Sequence, residues 1–208
     1  MESAMANYGV IDLGSNSVRL VIFDVKDGIS KKKPITCKDF RSIINDKVMA
    51  GLSAYVDAGE FTPEGIARAV DVLSGHLKRA RYFNCVRTDI FATAVLRNCT
   101  NSRKAIRAIE EAIGAPVNLL SARDEAHLSF AGASCDRTID KGTVVDLGGG
   151  STELIRVEEG RDFDDVSIGQ GSLSSYAGYV EFVMPQADEV EAIERAFLER
   201  VAETPVDL

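Results

Sequence analysis

Two aspartates stand where an apolar run meets a turn of small residues, once in Val10-Ile11-Asp12-Leu13-Gly14-Ser15-Asn16-Ser17 and again in Val144-Val145-Asp146-Leu147-Gly148-Gly149-Gly150-Ser151. Small residues let the backbone come close to a ligand, and consecutive N–H groups can form an anion-binding concavity. The candidate phosphate contacts are therefore Gly14, Ser15, Asn16 and Ser17 in one copy, and Gly148, Gly149, Gly150 and Ser151 in the other. A carboxylate beside such a loop would repel phosphate unless a divalent cation lay between them, so this pairing points to metal-bridged phosphate. Two such loops facing each other would clamp one anion.

A glycine-rich turn after a strand could also be a dinucleotide fingerprint, but that motif must open a helix. Here Val18 to Phe23 and Glu153 to Val157 leave the turns as further apolar, strand-like runs. Either copy alone also fits an ordinary hairpin turn. Their recurrence in the same register indicates a duplicated unit with a site between its halves, where pockets tend to lie.

Around these turns strands and helices alternate, which predicts an α/β fold. The first strand is expected from Tyr8, a solvated turn at Lys31-Lys32-Lys33-Pro34, and a third strand over Ile35 to Ile44. Thr62-Pro63-Glu64 starts a helix, with Thr62 as cap and Ile66, Ala69, Val70, Leu73 and Leu77 on one face, running to about Tyr82. Val86 to Phe91 reads as a buried strand, Asn101 to Ile113 as a helix ended by Gly114, and Val117 to Leu120 as a short strand. A helix capped by Ser121 follows, to about Ala133. The second copy opens at Thr143, continues as a hairpin to Gly160, adds a strand near Val166 to Ile168, and ends in helices near 173–182 and 188–202. The expected domains are 1–122 and 123–208, the second incomplete relative to a full repeat of the first.

The chain has 208 residues, 45% of them hydrophobic, and a formal net charge of −8. That charge argues against a broad nucleic-acid or anionic-membrane surface, so an anionic substrate must be held by local donors and metal. No window resembles a membrane span or a secretory signal, and Cys37, Cys85, Cys99 and Cys135 lack the spacing of zinc or redox pairs. A cytoplasmic protein with reduced cysteines is expected. His76 and His127 lack a partner set and read as packing or surface residues.

The stretches IDLGSNSVRLVIF, TPEGIARAV, FATAVLRNCTN, LLSARDEAHLSFAGA and VVDLGGGSTEL, in this order over about residues 8–157, resemble the exopolyphosphatase and guanosine pentaphosphate phosphohydrolase family. The resemblance implies the actin-like ATPase (ribonuclease H-like) fold, with duplicated βββαβα-type domains and a cleft between them. It implies removal of the terminal phosphate of inorganic polyphosphate or guanosine pentaphosphate by attack of water, assisted by Mg2+ or another divalent cation. It further assigns Asp12, Asp146 and Glu153 to the metal, Arg97 to phosphate, and Glu125 to the base that activates water. From the residues alone, Glu125 could serve only the helix dipole, Arg97 a surface acid, and Glu153 the solvent face of a strand.

Two segments depart from the family pattern. Met49-Ala50-Gly51-Leu52 replaces a Gly-Glu-Gly-Leu stretch, and Gln170-Gly171-Ser172-Leu173-Ser174-Ser175 lacks an arginine at Ser174. These departures leave open a non-catalytic phosphate or alarmone sensor, and, because acidic Gly-rich hairpins also hold nucleotide phosphates in the same superfamily, an ATP-dependent kinase or ATPase is a further reading. Self-association as a homodimer through the unfinished second half is a further expectation, and no nucleic-acid or membrane partner is expected.

Overall fold

The computed structural model describes residues 5–26 and 36–204, so the Lys31 to Pro34 turn lies outside the described residues. The chain divides into two compact units, Met1–Leu120 and Ser121–Leu208.

In the first unit, strands β1 (Met5–Leu13), β2 (Ser17–Lys26) and β3 (Phe40–Met49) form an antiparallel meander. A short 3-10 turn at Leu52–Tyr55 leads to the two-residue strands β4 (Val56–Asp57) and β5 (Glu60–Phe61). Helix α1 (Pro63–Tyr82) comes next, followed by strand β6 (Arg87–Ala92), helices α2 (Ala94–Arg97) and α3 (Ser102–Ile113), and strand β7 (Asn118–Leu119). The main sheet runs β3-β2-β1-β6-β7, with β6 parallel to both β1 and β7.

Alternation along β1 and β2 decides which face is covered. Ile11, Leu13, Val18, Leu20 and Ile22 are fully buried in one cluster with Ala69 and Leu73 of α1 and with Ala105 and Ile109 of α3. Asp12 and Arg19 consequently point to the opposite face and are exposed. Helix α1 starts as its sequence requires: the Thr62 hydroxyl accepts from Gly65 N at 3.2 Å, and Pro63 fills the first turn. Gly114 ends α3 at φ 68°, a left-handed conformation that suits glycine.

The second unit contains α4 (Ala122–Ala133), strands β8 (Gly142–Leu147), β9 (Thr152–Glu158) and β10 (Arg161–Ile168), and helices α5 (Ser172–Tyr179) and α6 (Ala187–Ala202). The three strands form an antiparallel meander in the order β10-β9-β8. Ala126 and Phe130 of α4 bury against Ile155 and Val157 of β9.

The third strand is a correction to the sequence reading: it spans Phe40–Met49, not Ile35 to Ile44, and pairs along the whole of β2. Register explains the shift, because Ser17↔Met49 and Val25↔Phe40 match β3 to the full length of its neighbour. The short helix α2 was invisible to periodicity because four residues are too few to show a face. Among the described residues, no helix is long and apolar enough to cross a membrane, and none of the four cysteines is in a disulfide.

Candidate phosphate and acid site

Both acidic turns close the same way. Gly14 N donates to Ser17 O at 3.1 Å, and Gly148 N donates to Ser151 O at 2.9 Å. Residues directly opposite in an antiparallel pair share a face, so each hairpin presents a row of side chains at its aspartate. In the first unit that row is Asp12, Arg19 and Lys47. In the second it is Asp146, Glu153 and Ser167. The same backbone device thus carries one acid and two bases in one unit and two facing carboxylates in the other.

Helix α4 lies over that acidic row. Ser121 caps it, its hydroxyl accepting from Asp124 N at 3.1 Å, and this sets the register that places Glu125 and Ser129 one turn apart on one face. The Ser129 hydroxyl donates to Asp146 Oδ2. From β10, the Ser167 hydroxyl donates to Glu153 Oε1 at 2.8 Å. Glu153 is only 2% exposed, whereas Asp146 is exposed and Glu125 half-buried. Burial raises the Glu153 carboxyl above its ordinary value and the nearby Glu125 charge adds to this. Hydrogen bonds from Ser167 and Ser151 offset part of the effect, and the Asp146 charge adds a smaller increase. The reading of Glu153 as a solvent-facing strand residue is therefore displaced by its burial.

Glu125, Asp146 and Glu153 are brought together within the second unit, alongside Gly148, Gly149, Gly150 and Ser151. In the first unit, Asp12 ends β1 beside the Gly14 to Ser17 loop, and Arg97 ends α2, where its Nη1 donates to Leu120 O at 3.3 Å. His76 is fully buried with its Nε2 3.2 Å from Val18 O, and His127 is an exposed partner of Asp162 at 2.6 Å. Ser129 and Ser167 were missed in the sequence. The spacing of four between Glu125 and Ser129 was a usable signal, while Ser167 needed the β9–β10 register.

A pair of carboxylates with serine donors matches the chemistry of Mg2+, which takes one or two protein carboxylates and completes its shell with water and substrate phosphate. Among the described residues, no three or more His, Cys, Asp or Glu form a group that could by itself hold a metal ion.

The profile of the Ppx/GppA phosphatase family matches residues 10–208. The chain belongs to that family. Exopolyphosphatase 2 of Mycobacterium tuberculosis is 30% identical over 160 residues, covering 73% of this chain and 48% of the relative. The chain thus spans about half the length of the curated relatives it matches. Among solved structures, the Aquifex aeolicus Ppx/GppA family member superimposes with a TM-score of 0.73 at 23% identity, over 98% of this chain and 65% of that one. An exopolyphosphatase from Cytophaga hutchinsonii gives a TM-score of 0.79 at 22% identity, over 94% of this chain and 60% of that one. These likenesses show that the chain shares the α/β fold of the solved Ppx/GppA structures.

Proposed function

We propose that this Ppx/GppA chain serves a phosphoanhydride hydrolase that removes the terminal phosphate of inorganic polyphosphate or guanosine pentaphosphate. The observation that carries this reading is the acidic row of the second unit, Asp146 opposite Glu153 under Glu125, next to a glycine-rich turn. Such a hydrolysis needs a positioned water, a base within hydrogen-bond reach, and neutralisation of the phosphoryl oxygens, with little covalent work for the protein.

Glu125 is proposed as the base. Its helix α4 packs on the β8–β9–β10 meander and holds it beside the buried Glu153. The N–H groups and hydroxyls of Gly14 to Ser17 and Gly148 to Ser151, with the Arg97 guanidinium, would bind and orient phosphate. Asp146 and Glu153, with Asp12, would hold Mg2+, which when bound neutralises phosphoryl charge. Ser129 and Ser167 orient their carboxylates without cancelling the charge.

The curated relative named exopolyphosphatase supports polyphosphate as substrate. A cytoplasmic location belongs to the same proposal. Self-association is supported by Val145 and Leu147, which are 59% and 64% exposed on β8; a monomer by light scattering over a wide concentration range would remove it. The sensor reading has one observation in its favour: Ser174 caps α5, its hydroxyl accepting from Gly171 N at 2.8 Å, where an arginine could have served phosphate.

The test is phosphate release from polyphosphate, guanosine pentaphosphate and ATP, with and without Mg2+. Magnesium-dependent release from either of the first two supports the hydrolase. Binding without release supports the sensor, and release from ATP alone supports the kinase or ATPase reading.

A further inference from the structure

The two segments that depart from the family pattern sit directly behind the two phosphate loops. In the second unit, the first turn of α5 donates to the carbonyls of the glycine-rich turn. Ser172 N bonds Gly148 O at 2.9 Å, Leu173 N bonds Gly149 O at 2.8 Å, and Ser174 N bonds the same oxygen at 3.1 Å. The Ser172 hydroxyl adds a bond to Gly148 O at 3.1 Å. Thus the otherwise unpaired N–H groups of a helix start are satisfied by the loop itself.

This contact fixes which way the loop amides point. A trans peptide sets each N–H opposite the preceding carbonyl, so turning the Gly148 and Gly149 carbonyls to α5 turns the Gly149 and Gly150 N–H groups to the other side. The segment that makes this seat is itself anchored. Thr152 Oγ1 donates to Gln170 O at 2.7 Å, and the buried Gln170 amide donates to Ile193 O of α6 at 3.2 Å.

We propose that Gly171 is a positioning residue for the phosphate loop, required because any side chain there would push α5 off the Gly148 and Gly149 carbonyls. Its backbone, φ −130° and ψ −171°, is extended and open to any residue, so conformation does not demand glycine. Space does: a Cβ would lie 2.7 Å from Gly148 O, Gly149 C and Gly149 O, all backbone atoms that cannot swing aside. The first unit repeats the device at the end of its own third strand. There Gly51 N bonds Asn16 O at 2.7 Å and Ser53 N bonds Ser15 O at 2.8 Å, with Gly51 at φ 64°. In each unit, the stretch after the third strand backs the loop carbonyls and leaves the N–H groups to an anion.

This inference rests on reading Gly148 to Ser151 as a phosphate loop, and one titration separates the two claims. Inorganic triphosphate is titrated with Mg2+ present into the full chain while the amide resonances of Gly149 and Gly150 are followed, in the parent, Gly171→Ala, Ser172→Ala and Gly178→Ala. The parent and Gly178→Ala, where a Cβ meets open space, should bind alike. Gly171→Ala should bind at least tenfold more weakly and lose hydrogen-exchange protection at Leu173 and Ser174. Ser172→Ala, an exposed change, should lose a few-fold in affinity and decides the matter if Gly171→Ala does not fold. No response at Gly149 and Gly150 in the parent would overturn the phosphate-loop reading and this proposal with it. Normal parent binding with unaltered affinity and exchange in Gly171→Ala, or in Ser172→Ala if that must decide, would overturn the positioning role alone.

Discussion

Asp146 and Glu153 stand opposite each other across the β8–β9 hairpin, in the register position where the first unit sets Asp12 against Arg19. One exchange of basic for acidic residue turns a balanced pair into a site of concentrated negative charge. Glu153 is also buried, so its charge has little water to stabilise it, and Glu125 and Asp146 add repulsion.

Glu153→Gln should therefore stabilise the chain at neutral pH while impairing function. The sign follows from linkage: the folded state holds a proton on Glu153 at pH values where the unfolded chain has already lost it, so stability falls as pH rises from the ordinary glutamate value through the raised one. The glutamine variant should show less of that fall. Thermal melting in metal-free buffer from pH 4 to 8 checks this, each ~1 kcal/mol of relief appearing as about 2–4 °C in Tm. An unchanged profile would contradict the burial argument.

Ser129→Ala should weaken divalent-cation binding about ten- to a hundredfold, because the hydroxyl that orients Asp146 is removed while the carboxylate remains. Ser129→Thr should restore most of it. Calorimetric titration with Mg2+ in the presence of triphosphate gives the readout, and equal affinity in all three proteins would exclude the role.

His76→Ala should cost about 2–4 kcal/mol, from a cavity in the main core and a lost hydrogen bond. The ring is fully buried, and a carbonyl acceptor at Val18 means that Nε2 donates. Asp46, which also pairs with Arg79, lies 3.4 Å from Nδ1. Urea unfolding with an unchanged slope and a lower midpoint is the expected result; a midpoint equal to the parent's would show that the imidazole contributes nothing.

Much of this was legible in the chain. The paired Asp–Gly/Ser turns announced both hairpins, and Thr62-Pro63 and Gly114 marked helix ends by local chemistry that tertiary context did not override. The third strand slipped because its pattern is weak: Phe40–Met49 contains Arg41, Asn45, Asp46 and Lys47, and its place is set by pairing with β2 rather than by its own periodicity. Glu153 looked like a solvent-facing charge since strand alternation says nothing about a helix that later lies over that face. Gly171 gave no signal of its own in the sequence, because its reason is a close approach between backbones far apart in the chain.

The most direct test of the account is Glu125→Gln in the full chain with Mg2+ and polyphosphate. Phosphate release should fall about a hundred- to ten-thousandfold while triphosphate binding is retained, the signature of a lost base over an intact phosphate site. Release at the parent rate in the variant would contradict the assignment of α4 and its glutamate to the chemistry.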